Sequence, residues 1–224
     1  MKVMILAAGR GERMRPLTDT VPKPLLPVAG KPIVVHLIES LARAGLRELI
    51  INHAHLGGRI MEVLGDGRDY GVRIAYSHEA QGGLETGGGI HHALPLIDSD
   101  PFAVVNGDIW TDYPFERLPR APAGLAHLVL VDNPAHHPHG DFALAGDRVR
   151  ETGERRFTFS GIGVYTRALF AACRPGKFPL APLLRDAMRR DAVSGEYYGG
   201  RWRDVGTPER LEELNRELTQ GPPK

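Results

Sequence analysis

The residues with the types and spacing to do chemistry crowd into one early segment, Leu6-Ala7-Ala8-Gly9-Arg10-Gly11-Glu12-Arg13-Met14-Arg15-Pro16-Leu17-Thr18. A short apolar run, Val3 to Ala8, ends in this glycine turn, where backbone N–H groups are free to point at an anion. Gly9 and Gly11 let phosphate oxygens approach the main chain where a side chain would block them. Arg10, Arg13 and Arg15 add three guanidinium groups in one loop, which suits a polyanion such as a triphosphate. Two familiar phosphate motifs fail on the letters. No Lys-Ser or Lys-Thr pair follows the last glycine, as a P-loop requires. Met14 stands where a dinucleotide-binding turn needs Gly or Ala, which removes a NAD-dependent oxidoreductase. The plainer reading, a turn that uses glycine for packing alone, does not account for the arginines.

Lys23 follows in Val21-Pro22-Lys23-Pro24-Leu25, where flanking prolines stiffen the backbone and hold the ammonium in place. Asp108 ends the apolar run Phe102-Ala103-Val104-Val105 after Asn106 and Gly107. An acid at the carboxyl end of a strand in an open α/β sheet faces the ligand crevice, although a turn-capping role is the alternative. His136, His137 and His139 have no cysteine or acid at a usual zinc-ligand spacing, so they read as a polar loop. Cys173 is the only cysteine and reads as packing.

The elements that must position these groups alternate. Strands are expected at Val3–Ala8, Leu49–Asn52, Val72–Tyr76 and Phe102–Asn106. Helices are expected at Pro32–Ala44, Gly58–Leu64 and Thr86–Leu94. After Asp112 come strands at Leu125–Val131, Phe157–Tyr165 and Glu196–Asp204, with helices at Pro179–Arg190 and Pro208–Leu218. The fold class is α/β: one Rossmann-like domain over 1–218, with a mainly parallel, mixed central sheet flanked by helices. Residues 219–224 are expected to form a frayed tail.

The block LAAGRGERMRPLT…PKPLLPVAGKPI resembles the signature of the sugar-1-phosphate nucleotidyltransferases. Gly82-Gly83-Leu84-Glu85-Thr86-Gly87-Gly88-Gly89 resembles that family's base- and sugar-reading loop, and Asn106-Gly107-Asp108 extends the match. The resemblance implies that Ala8, Gly9, Arg10, Gly11, Glu12, Arg13, Lys23, Glu85, Gly88 and Asn106 bind the nucleotide. It implies catalytic roles for Arg13, Lys23 and Asp108. Asp204, before Gly206-Thr207-Pro208, would join Asp108 in holding Mg²⁺, which takes its other ligands from phosphates and water. Residues 1–112 would form the nucleotide half and 113–218 the sugar half, with Asn106, Asp141 and Glu151 at the sugar. Many relatives carry Glu-Lys-Pro where this chain has Glu151-Thr152-Gly153, so the usual sugar-contacting lysine is missing there. If Arg201 to Val205 is extended, Asp204 shares a face with Trp202 while Arg203 points away. The compact length and the stretches Asn133–Phe142 and Phe159–Tyr165 are similar to a branch that joins UTP to a cell-wall sugar 1-phosphate in bacterial recycling. A GTP- and mannose-1-phosphate-using enzyme, or a catalytically silent regulatory subunit, are the alternatives.

Composition bounds these readings. The chain has 224 residues, 42% hydrophobic and 25% charged, and a formal net charge of +1. That balance leaves no basic excess to track a nucleic-acid backbone. No apolar run is long enough to span a bilayer. A cytoplasmic monomer is the expected state.

Overall fold

The computed structural model describes residues 1–80 and 82–220. Strand β1 (Val3–Leu6) leads into three 3-10 turns at Glu12–Met14, Leu17–Asp19 and Lys23–Leu25, then the short pair β2 (Pro27–Val28) and β3 (Lys31–Pro32). Next come α1 (Ile33–Arg43), β4 (Glu48–His53), α2 (Gly57–Leu64), β5 (Arg73–His78), α3 (Glu85–Ile97) and β6 (Phe102–Asn106). The second half holds β7 (Ile109–Thr111), β8 (Ala126–Val131), β9 (Phe142–Ala145), β10 (Arg148–Arg150) and β11 (Arg156–Tyr165). It closes with α4 (Ala181–Arg189), β12 (Val193–Tyr197), β13 (Trp202–Asp204) and α5 (Pro208–Gln220).

One nine-stranded sheet carries the fold, in the order β5-β4-β1-β6-β11-β8-β12-β10-β9. The run β5-β4-β1-β6 is parallel, β8 and β12 are parallel, and the other neighbouring pairs are antiparallel. Alternation along the central strands feeds two cores. Val3, Ile5, Leu49, Ile51, Ala103 and Val105 face α1 and α2. Met4, Ile50, Phe102 and Val104 face α3 and α4. A strand apolar on both faces must be covered on both, which is why helices flank this sheet on each side. A third cluster joins distant parts of the chain: Met14, Leu26, Val28 and Ile33 pack against Val205, Leu211 and Leu214.

The run Glu196–Asp204 is not one strand. Glu196 lies in β12 of the large sheet, whereas Trp202–Asp204 pairs with β7 in a separate two-stranded ribbon. Between them Asp112 captures the Tyr198 hydroxyl at 2.5 Å and the Arg201 amide at 2.7 Å, which redirects the chain. Trp202 is buried and donates its indole N–H to the Ser160 carbonyl at 2.9 Å, while Arg203 turns outward to Glu217. The β9–β10 hairpin closes through Gly146-Asp147, since Ala145 pairs directly with Arg148. Helix α5 continues through Thr219 and Gln220, which corrects the expected tail; residues 221–224 lie outside the described residues. Among the described residues no helix is long and apolar enough to cross a membrane.

Phe102 is fully buried, with its ring centroid 6.2 Å from those of Tyr165 and of Phe170. Phe102→Ala is expected to cost about 3–5 kcal/mol through the cavity it leaves, read as a lower urea midpoint at unchanged slope.

Candidate active site

The carboxyl ends of β1, β4 and β6 open into a cavity of about 1040 Å³. Ala8, Gly9, Arg10, Gly11, Glu12 and Arg13 line one wall. Lys23, Asn106, Asp108 and Glu85 also face it. A Cβ built on Gly9 would meet nothing within 4 Å, so packing does not require glycine there. The room beside Gly9 belongs to the cavity, as an approach of phosphate to backbone needs.

The three loop arginines divide by task. Arg10 turns inward: it donates to the Thr18 carbonyl at 3.1 Å and pairs with His55, and its nearest carboxylates are Glu12 and Asp19 at 3.6 Å. Arg15 is held by Asp19 at 2.8 Å. Arg13 is exposed and makes no hydrogen bond or ion pair among the described residues. Two guanidinium groups therefore shape the loop, and one stays available to a ligand.

Beneath the loop lies a polar brace that sequence reasoning missed. The Ala7 amide donates to Asn52 Oδ1 at 2.8 Å, and Asn52 Nδ2 donates to Glu79 Oε1 at 2.6 Å. Glu79 Oε2 accepts from the Leu84 amide at 2.7 Å. Glu79 is 2% exposed and Asn52 3%, so these contacts are shielded from water. A Cβ on Gly89 would sit 2.6 Å from Glu79 Oε1 and 3.1 Å from Asn52 Nδ2, so a larger residue at that point of α3 would displace the brace. One signal was present: a Glu directly after a strand and before a glycine-rich segment, where a surface acid needs no such setting. Nearby, burial and His78 lower the pKa of His53, which favours the neutral ring.

Lys23 Nζ pairs with Asp108 Oδ2, and the lysine side chain is 12% exposed. The β7–β13 ribbon brings Asp204 beside this pair, since Asp204 lies opposite Ile109 and the Val205 amide donates to the Asp108 carbonyl at 2.9 Å. Asp204 is itself engaged by Arg210 Nη1 at 2.5 Å and His136 Nε2 at 3.1 Å. Each carboxylate thus carries a cationic or imidazole partner. Among the described residues no group of three or more His, Cys, Asp or Glu could close around a metal. The two carboxylates offer hard oxygen donors, which fit a divalent cation that fills its shell with water and phosphate.

Other expected residues are not brought to the cavity. Asp141 accepts from the Phe159 amide at 2.8 Å and lies 3.1 Å from His137 Nε2. Glu151 reaches Arg185 and Arg189 of α4 at 3.3 and 3.7 Å. Gly88 is buried, and its amide donates to the Phe178 carbonyl at 3.0 Å. None of the three is among the residues lining the cavity, and neither is Asp204. Lys177 and Gly206 do line it and were not expected to.

Residues 2–144 match the nucleotidyl transferase family. The N-acetylmuramate alpha-1-phosphate uridylyltransferase of Neisseria meningitidis serogroup B is 53% identical over 222 residues, spanning 95% of this chain and 96% of that protein. The protein of the same name from Caulobacter vibrioides is 32% identical, over 92% of each chain. The solved inositol-1-phosphate CTP transferase from T. maritima aligns with a TM-score of 0.79 at 17% identity, over 100% of this chain and 98% of that one, a likeness of fold.

Asn52→Ala removes one partner from a buried amide and one from a buried carboxylate. It is expected to destabilise the protein by about 2–4 kcal/mol and to raise the KM for nucleotide. Thermal melts and steady-state kinetics check both, and an unchanged KM would detach the brace from nucleotide binding.

Proposed function

We propose the reaction of this chain, which belongs to the nucleotidyl transferase family and is a nucleotidyltransferase: it transfers the uridylyl group of UTP to N-acetylmuramate 1-phosphate and releases pyrophosphate. The observation that carries the choice of substrates is the 53% identity, spanning nearly the whole of both chains, with a relative named for that reaction. In this reading the chain works as a monomer in the cytoplasm, in the recovery of bacterial cell-wall sugars. Residues 1–112 take the nucleotide and 113–218 the sugar.

The geometry supports a mechanism built on charge. A sugar 1-phosphate oxygen attacks the α-phosphorus in line, and the bond to the leaving pyrophosphate breaks. Both reactants are anions, so the protein must cancel their repulsion while aligning them. Arg13 and the amides of the Gly9–Gly11 turn hold the pyrophosphate. Lys23 serves the α-phosphate and the incoming oxygen, and the Asp108 carboxylate keeps it aimed. No base is needed, because a phosphate oxygen is a nucleophile at neutral pH. Asp108 and Asp204 hold a divalent cation, Mg²⁺ in this proposal, which supplies positive charge to the phosphates when bound.

Pyrophosphate release with Mg²⁺, crossing UTP, GTP, CTP and dTTP with N-acetylmuramate, mannose and glucose 1-phosphates, tests the substrates. Release with UTP, fastest with N-acetylmuramate 1-phosphate, is expected. GTP with mannose 1-phosphate would overturn the substrates, and nucleotide binding without any release would favour a silent sensor. Lys23→Ala and Asp108→Asn are each expected to lower kcat by at least about 100-fold with little change in melting temperature. Near-normal turnover in either purified variant would remove that residue's role.

A further inference from the structure

Lysine and arginine line the cavity at four described positions: Arg10, Arg13, Lys23 and Lys177. Three of these belong to the opening segment and are accounted for. Arg10 holds the loop together through Thr18 and His55, and Lys23 pairs with Asp108. Arg13 sits in the phosphate-binding turn. Lys177 alone comes from the second half of the chain. It is exposed and makes no hydrogen bond or ion pair among the described residues.

Its backbone is nonetheless anchored. The segment bearing it is stitched to the start of α3 by two hydrogen bonds, Gly88 N–H to the Phe178 carbonyl at 3.0 Å and Phe178 N–H to the Leu84 carbonyl at 3.2 Å. Leu84, Glu85 and Thr86 line the same cavity. The lysine stem therefore rises from a fixed lip, and only its side-chain rotamers remain to be ordered by a ligand. A lysine kept only for solubility needs neither a cavity nor this tether.

The charge requirement of the substrate completes the argument. N-acetylmuramate 1-phosphate carries a lactyl ether ending in a carboxylate, a second anionic group besides its phosphate. A neutral sugar 1-phosphate has none. The phosphates of the two substrates draw on Arg13, Lys23 and a divalent cation, so a carboxylate needs a cation those groups do not consume. We propose that Lys177 binds the carboxylate of an acidic sugar 1-phosphate and sets the preference for it over neutral sugars. This rests on the substrate reading above.

The test compares N-acetylmuramate 1-phosphate with N-acetylglucosamine 1-phosphate, which lacks only the lactyl group, in the wild type and in Lys177→Met and Lys177→Arg. Lys177→Met is expected to lower kcat/KM for the acidic sugar roughly 10- to 100-fold, the loss of one charge-assisted contact. The loss should appear in the sugar KM, with the KM for UTP and the rate with N-acetylglucosamine 1-phosphate unchanged. Lys177→Arg, which keeps the charge, is expected to keep most of the preference. Equal losses with both sugars, or a raised KM for UTP, would place Lys177 on the nucleotide and overturn the proposal. A preference undiminished in Lys177→Met would overturn it alone. A wild type that turns over N-acetylglucosamine 1-phosphate but not the acidic sugar would overturn the substrate reading first, and this proposal with it.

Discussion

Glu79 places a carboxylate at 2% exposure, and much of the cavity's architecture follows from keeping that group satisfied. An uncompensated buried charge is among the most costly features a fold can contain. Asn52 and the Leu84 amide supply the hydrogen bonds, and Gly89 supplies the space. Because Asn52 also accepts from the Ala7 amide, the end of β1, the end of β4 and the start of α3 cannot move independently. The turn proposed to meet phosphate and the segment proposed to meet base and sugar are thus tied together through buried hydrogen bonds. Preorganisation of this kind matters in phosphoryl transfer, where aligning two anions is most of the work.

The electrostatics follow a second economy. The chain is nearly neutral overall, yet its cavity must accept several negative charges. The charges are paired internally: Lys23 rests on Asp108 in the cavity wall, and Arg210 with His136 rests on Asp204 outside its lining. Under the proposed reaction, substrates and metal exchange partners with these groups and do not meet bare charges. Arg13, exposed and without a protein partner among the described residues, is the cation the phosphate loop can offer without breaking any contact.

The letters made the first half of the chain legible because its signals are local. A strand ending in Gly9–Gly11, a lysine between prolines and an acid after an apolar run each declare themselves within a few residues. The four parallel strands lie close to their expected positions for the same reason; β1, β4 and β6 are apolar on both faces, while β5 is a half-exposed edge strand. What stayed hidden depends on partners far apart in sequence. Asn52 reads as a strand residue until Glu79, 27 positions later, is folded against it. Arg210 and His136 acquire a role only once Asp204 lies between them. The apparent strand Glu196–Asp204 breaks because Asp112, 89 residues before Arg201, takes over its backbone. Lys177 carries no local pattern at all. The Gly146-Asp147 hairpin, by contrast, did have a readable turn signal, with an apolar flank before it and the alternating Arg148-Val149-Arg150 after it.

The third hydrophobic cluster has a consequence for synthesis. Met14, Leu26, Val28 and Ile33, which underlie the phosphate loop, find their covering side chains in Val205, Leu211 and Leu214, and the Ala29 amide finds its acceptor in Asn215 at 2.7 Å. Asp204 arrives on the same stretch of chain. While the ribosome still shelters that stretch, this apolar floor is uncovered and Asp204 is absent. The apolar floor is therefore covered only once residues 205–214 have emerged, and a nascent chain stalled before that point exposes the underside of the opening loop.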